Sequence, residues 1–185
     1  MIDFIRILND GKKLYRVSII EDEVVKEVDA ITRKYTDAVE KERSELRSDT
    51  ISSDHEENLD GGLLTRYVAK WDAYLRMKLR FCLVSHDVVY ANDDEPERPV
   101  RRYAFAFKND FDGSILPAVE TFIHNFLVTG VLYDWYRSMN LPIADTYQAE
   151  ADELLGKIVS MLRGKPSTTR PLQPFGPPYP TTPLF

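Results

Sequence analysis

The residue types that could do chemistry in this chain fall in three short stretches. Lys108-Asn109-Asp110-Phe111-Asp112-Gly113 resembles half of a calcium loop. Such a loop needs acids at positions 1, 3, 5 and 12 and glycine at position 6. With Gly113 at position 6, Asp110 and Asp112 fit, but Lys108 falls at position 1 and Val119 at position 12. The bidentate ligand is missing, and helix capping accounts better for these acids. His86-Asp87 has the types of a metal-binding pair, yet only His55 and His124 remain to complete it. A satisfied surface or core histidine is the expectation for His86, and a surface histidine for His55. Asp93, Asp94, Glu95 and Glu97 form an acidic tip that reads as a solvated turn.

The usual catalytic signatures are missing. No Gly-rich phosphate loop follows a strand, and neither CxxC nor GxSxG occurs. The single Cys82 excludes an internal disulfide framework and points to a reducing compartment. It lies among apolar residues and reads as a small core residue rather than a reactive thiol. Tyr133, Trp135 and Tyr136 read as core or interface packing rather than a ligand pocket. The expectation is a protein that is not an enzyme and uses no cofactor and no metal.

At 185 residues, 43% hydrophobic and 29% charged, the chain suits one soluble domain with a sizeable core. The net charge of −6 is unevenly placed. Residues 21–60 carry 14 acids and 6 bases, whereas residues 163–185 carry Arg163, Lys165 and Arg170 and no acid. An acidic chain without a basic stripe is a poor nucleic-acid binder. The opening MIDFIRILND holds acids and no long apolar run, so it does not read as a signal peptide.

Around these residues the pattern predicts an α+β domain, mainly α, over 1–165. It has about four helices and small antiparallel β-hairpins. A hairpin spans residues 2–20 around Asn9-Asp10-Gly11-Lys12, with Tyr15, Val17 and Ile19 on its buried face. A helix follows over 22–46, striped by Val24, Val28, Ile31, Tyr35 and Ala38. Residues 48–62 are polar and end in Gly61-Gly62, which reads as a loop or linker. Residues 63–84 carry Leu64, Tyr67, Val68, Trp71, Tyr74, Leu75 and Leu79 at helical spacing, while Arg76, Lys78 and Arg80 alternate with Met77, Leu79 and Phe81 as in a strand; length favours a helix through about Arg80, with Phe81 to Val84 finishing it. Asp87–Tyr90 and Val100–Phe107 then pair around the acidic tip, and Tyr103, Phe105 and Phe107 line one face.

Residues 114–164 read as an αα-hairpin. Ser114 is the expected N-cap of the first helix, with Pro117 in its first turn. That helix is apolar nearly all round, which demands burial in a core, an interface or a bilayer. Glu120, His124 and Asn125 argue against the bilayer. Gly130 is expected to admit another backbone at close range. Asn140-Leu141-Pro142 breaks the helix, and Asp145 with Gln148 approximates a capping box for the next. Tyr147, Ala151, Leu154, Leu155, Ile158 and Leu162 stripe that second helix, and Gly164 and Pro166 end it. Phe126, Leu127, Trp135 and Tyr136 are candidate interaction residues because one amphipathic neighbour covers too little of their helix. Seven of residues 166–185 are proline, so this tail is an extended arm. Its candidate docking side chains are Leu172, Phe175, Tyr179, Leu184 and Phe185, with Arg170 for an acidic surface.

The segment VLYDWYRSMNLPIADTYQAEADELLGKIVSMLRGKP resembles the C-terminal helical pair of small neck proteins from tailed phages and prophages of Bacteroidetes, including crAss-like phages. The preceding LLTRYVAKWDAYLRMKLRFCLV helix and the aromatic strand before Ser114 are similar in order, so the likeness covers about residues 60–165. The resemblance implies a virion head–tail connector without catalysis. It implies a homo-oligomeric ring, typically dodecameric, stacked below the portal protein, which assembles in the host cytoplasm and stays in the virion. The alternative from the residues alone is a monomeric cytoplasmic protein-binding or regulatory module. A weaker third is a small metal-assisted enzyme using the acidic loop.

Overall fold

The computed structural model describes residues 2–7, 11–44, 61–91, 98–108 and 110–163. The expected N-terminal hairpin forms; residues 8–10 of its turn lie outside the described residues. Strand β1 (Ile2–Ile7) pairs antiparallel with β2 (Lys13–Ile20), with Ile2 opposite Val17. Gly11 sits at φ +79°, a conformation open to glycine at no steric cost. A second hairpin joins β3 (Leu83–Ala91) to β4 (Arg98–Phe107). The two hairpins meet where β2 pairs with β4, giving an antiparallel sheet of order β1-β2-β4-β3.

Register decides which face meets the helices. Val17 opposes Tyr103, and Tyr15 opposes Phe105. Val17, Ile19, Tyr103, Phe105 and Phe107 are buried, so this face carries the core. Four helices close that core: α1 (Glu21–Ser44), α2 (Gly61–Leu79), α3 (Leu116–Ser138) and α4 (Ile143–Leu162). The mainly α, α+β architecture matches the periodicity. Val24 and Val28 of α1 are buried, as are Leu64, Val68, Trp71, Leu75 and Leu79 of α2. On α4 the stripe Ala151, Leu154, Leu155, Ile158 and Leu162 is buried, and Tyr147 stacks on Tyr136 at 5.2 Å.

Helix α3 is the centre of the molecule. By length and composition Gly113–Ser138 would pass for a membrane span. Here α4, α2, α1 and the sheet all pack on it. Several neighbours cover its apolar circumference, not the single amphipathic one that the sequence suggested.

Other expectations need correction. Residues Phe81–Val84 do not finish α2: the helix stops at Leu79, the chain turns over 80–82, and β3 starts at Leu83. Cys82 closes that turn, its N–H donating to Leu79 O at 3.0 Å and its thiol to the same oxygen at 3.5 Å. Ser114 is not a cap. Asp112 accepts from Ser114 N at 2.9 Å and starts a 3₁₀ turn over Gly113–Ile115 that feeds α3. Asp145 caps nothing: Pro142 holds the N-cap position of α4, with no side-chain cap bond. The α3–α4 turn instead relies on Asn140 at φ +55°, a region that asparagine tolerates better than most residues. Gly61 and Gly62 begin α2 rather than end a loop. Gly130 faces an indole ring, not a backbone: a Cβ there would lie 2.3 Å from Trp71 Cδ2.

The linker at 48–60, His55, the acidic tip 93–97 and the tail from Gly164 lie outside the described residues, as do the side chains of Tyr35 and Ala38.

Candidate functional site

The densest polar constellation is built where α1, α2 and the β3–β4 hairpin converge. Asp72 projects from α2 and is its hub, with 1% of its surface exposed. Arg101 of β4 donates from Nη1 to Asp72 Oδ2 at 2.9 Å and ion-pairs through Nη2 with Glu21 Oε2 at 2.7 Å. Glu21 opens α1, where a carboxylate also suits the positive helix end. Tyr103 Oη donates to Asp72 Oδ1 at 2.6 Å. Arg76, one turn along α2, and His86 of β3 lie 3.2 and 3.3 Å from Asp72, within ion-pair reach but off hydrogen-bond alignment. Burial pushes the His86 imidazole below its ordinary pKa against the pull of Asp72, and the Tyr103 phenol well above its own.

Sequence patterning does not reveal this cluster. Spacing sets His86 beside Asp87, whereas the structure pairs it with Asp72, and the members of the cluster come from four elements. Two carboxylates face two guanidiniums, so charge balances inside. Arg101 and Tyr103 bind Asp72, and Arg101 also binds Glu21, which makes the cluster a clasp holding the β3–β4 hairpin to the helices, although Arg101 Nε, Arg76 Nε, His86 Nε2 and Glu21 Oε1 are buried without a hydrogen-bond partner. A second clasp joins α2 to α3: Asp134 accepts from Lys70 Nζ at 2.6 Å and from Trp71 Nε1 at 2.9 Å.

Other candidate chemistry resolves as packing or capping. Cys82 is buried and its thiol is pushed up to about 12 by desolvation. Asp112 caps the 3₁₀ turn, and hydrogen bonding from the Ser114 side chain, then from its backbone N–H, holds the carboxyl below the usual range. His124 pairs with Glu27 of α1 at 2.8 Å. It borders an open groove of about 280 Å³ lined by Ser18, Ile19, Glu23, Glu120 and Thr121. Among the described residues no group of three or more His, Cys, Asp or Glu is arranged to hold a metal ion.

The candidate interaction residues separate into three sets. Phe126 and Leu127 are 0% exposed and Tyr136 1%, so their surfaces are taken up inside a single chain and offer nothing to a partner. Trp135 is half-buried and packs edge-on against Tyr136. Arg170, Leu172, Phe175, Tyr179, Leu184 and Phe185 lie outside the described residues.

An apolar corner that the sequence does not single out is exposed instead. Met77 and Phe81, at the end of α2, are 55% and 45% exposed, and Val84, at the start of β3, 59%; Tyr90, 56% exposed, lies six residues farther along that strand. The signal for it was the run Phe81–Val84, which reads as buried helix until the chain is seen to turn. β3 is also an edge strand: eight of its nine residues pair with β4 on one side, Val84 falling at a bulge, and no other described strand pairs with it. It carries neither lysine nor proline, the residues that commonly guard such edges.

Comparison with protein-family models, with curated proteins and with solved structures finds no match.

Proposed function

We propose that this chain is a non-catalytic assembly subunit: a head–tail connector that forms a ring at the neck of a tailed phage, below the portal. The observation that carries an assembly role is the apolar corner of Met77, Phe81 and Val84 beside β3, an edge strand among the described residues. Grouped exposed apolar side chains of this kind mark docking surfaces more often than single ones do. The neck location rests on the resemblance over residues 60–165. The assembly face moves from the α3 residues to this corner and to the tail from Pro166. A head-to-tail contact between one subunit's corner and the next closes into a ring when its rotation permits.

Electron microscopy of the protein mixed with its portal tests the reading. The expected image shows an added ring. Deleting residues 167–185 is expected to leave melting unchanged and to abolish joining. A full-length protein that stays monomeric and never joins the portal overturns the connector and leaves the monomeric binding module.

A further inference from the structure

Exposed apolar side chains stand at both ends of α4. At its C-terminal end the guanidinium of Arg163 lies 5.2 Å over the ring of Phe81, which joins that end to the corner of Met77, Phe81 and Val84. At its N-terminal end the α3–α4 turn exposes Met139 and Ile143, at 39% and 36%. The 20 residues of α4 set these surfaces about 30 Å apart, at ~1.5 Å each. Charge separates the two ends as well. Residues 76–86 hold Arg76, Lys78 and Arg80 and no acid, and Arg163 adds its own cation. Residues 143–156 hold Asp145, Glu150, Asp152 and Glu153 and neither lysine nor arginine.

We infer that a second copy of this chain covers the corner, and that it does so with its α3–α4 turn and the acidic first half of its α4. Pairing within one chain leaves the charges for this contact available. Arg76 is held by Asp72, and Glu153 by Lys157. Among the described residues, Lys78, Arg80 and Arg163 meet no carboxylate within ion-pair reach, and Asp145, Glu150 and Asp152 meet no cation. Met139 and Ile143 of one copy then lie against Phe81 and Val84 of the next, with opposite charges around them. An apolar centre inside a charged rim is the ordinary anatomy of a protein interface. Corner against corner would instead set Lys78, Arg80 and Arg163 against their own kind, and juxtaposed like charges disfavour that pairing. The two surfaces sit at opposite ends of one helix, so a chain cannot cover its own corner. Each added copy brings one free corner and one free turn, which is the head-to-tail arrangement that closes into a ring. The inference rests on the assembly reading of the corner and names the surface it meets; the neck location and the tail play no part in it.

Analytical ultracentrifugation of the full-length chain over a concentration series tests the contact. Phe81→Asp spoils the corner and Ile143→Asp spoils the turn. The unaltered chain is expected to associate beyond a dimer. Each variant is expected to weaken that association at least about tenfold, the size of one interface anchor, with melting unchanged. An equimolar mixture of the two variants is expected to form a one-to-one pair and nothing larger, because one intact corner and one intact turn remain. If Phe81→Asp does not fold, Arg163→Glu takes its place as the corner variant. Added salt is expected to weaken the unaltered chain's association by screening the rim charges. Association of Ile143→Asp at full strength is the signature of corner-to-corner pairing and overturns the inference. So does association that salt leaves unchanged, or a full-length chain that is monomeric at every concentration. A chain that associates by this contact yet never joins a portal overturns the connector reading alone. One that joins the portal but stays monomeric by itself overturns this inference alone.

Discussion

Replacing Gly130 with alanine sets two physical effects against each other. Helix propensity alone predicts a gain, since glycine inside a helix costs roughly 1 kcal/mol relative to alanine. Packing predicts a larger loss. The new Cβ would stand 2.3, 2.6 and 2.7 Å from Trp71 Cδ2, Cγ and Cε2. Carbon atoms want about 3.5–4.0 Å, so the indole must retreat by more than about 1 Å. It has little freedom to do so. Its ring meets Phe126, Tyr74 and Tyr133 edge-on at 5.4, 5.8 and 5.9 Å, and Nε1 donates to Asp134. Overpacking costs about 1–3 kcal/mol, and losing a hydrogen bond to a buried carboxylate about 1.5–3 kcal/mol more. After the propensity gain, the expected net loss is about 3 kcal/mol, or roughly 6–12 °C in Tm for a chain of this size. Gly156 is the internal control. It lies in α4, where an added Cβ would meet nothing within 4 Å, so Gly156→Ala is expected to gain up to about 1 kcal/mol. Urea and thermal unfolding of both variants give the comparison. A Gly130→Ala protein as stable as Gly156→Ala refutes the placement of Trp71 against α3.

Further outcomes follow from the buried polar groups. Arg101→Met strands the carboxylates of Asp72 and Glu21 and is expected to cost about 3–5 kcal/mol in urea unfolding, the range for breaking one partner of a buried pair; a loss under about 1 kcal/mol would show that the clasp is not closed. His86 is held neutral by burial, so the unfolded chain binds the extra proton first as pH falls below about 6.5. Stability is therefore expected to rise with pH from the depressed folded value up to about 6.5, and His86→Gln should flatten that slope below about pH 6.5. Equal slopes in both proteins would remove His86 as the cause. Cys82, buried with its thiol at about 12, is expected to resist thiol reagents at about pH 8 until urea unfolds the chain; rapid labelling of native protein would place it at the surface.

Periodicity carried most of the architecture. The alternation of Tyr103, Phe105 and Phe107 and the apolar spacing of α3 and α4 are local patterns, and their elements formed at nearly the expected bounds. Where two local patterns overlap, spacing alone misleads. Phe81–Val84 suits a helix end as well as a strand start, and the ladder from Leu83 opposite Phe105 decided for the strand. Capping was similarly underdetermined: Asp112 and Ser114 are both good caps, and only the 3₁₀ turn between them shows which one acts.

By itself, the sequence determined the element types, the burial of α3 and the lack of a familiar catalytic motif, because each depends on residues within a few positions of one another. Tertiary structure alone decided the rest. That Phe126 and Leu127 belong to a core rather than an interface depends on how many elements surround α3. That His86 answers to Asp72 depends on β3 lying over α2, and that Gly130 receives Trp71 depends on the crossing of α2 and α3. Each is a contact between residues remote in the chain, fixed by the joint packing of several elements, which no local spacing encodes.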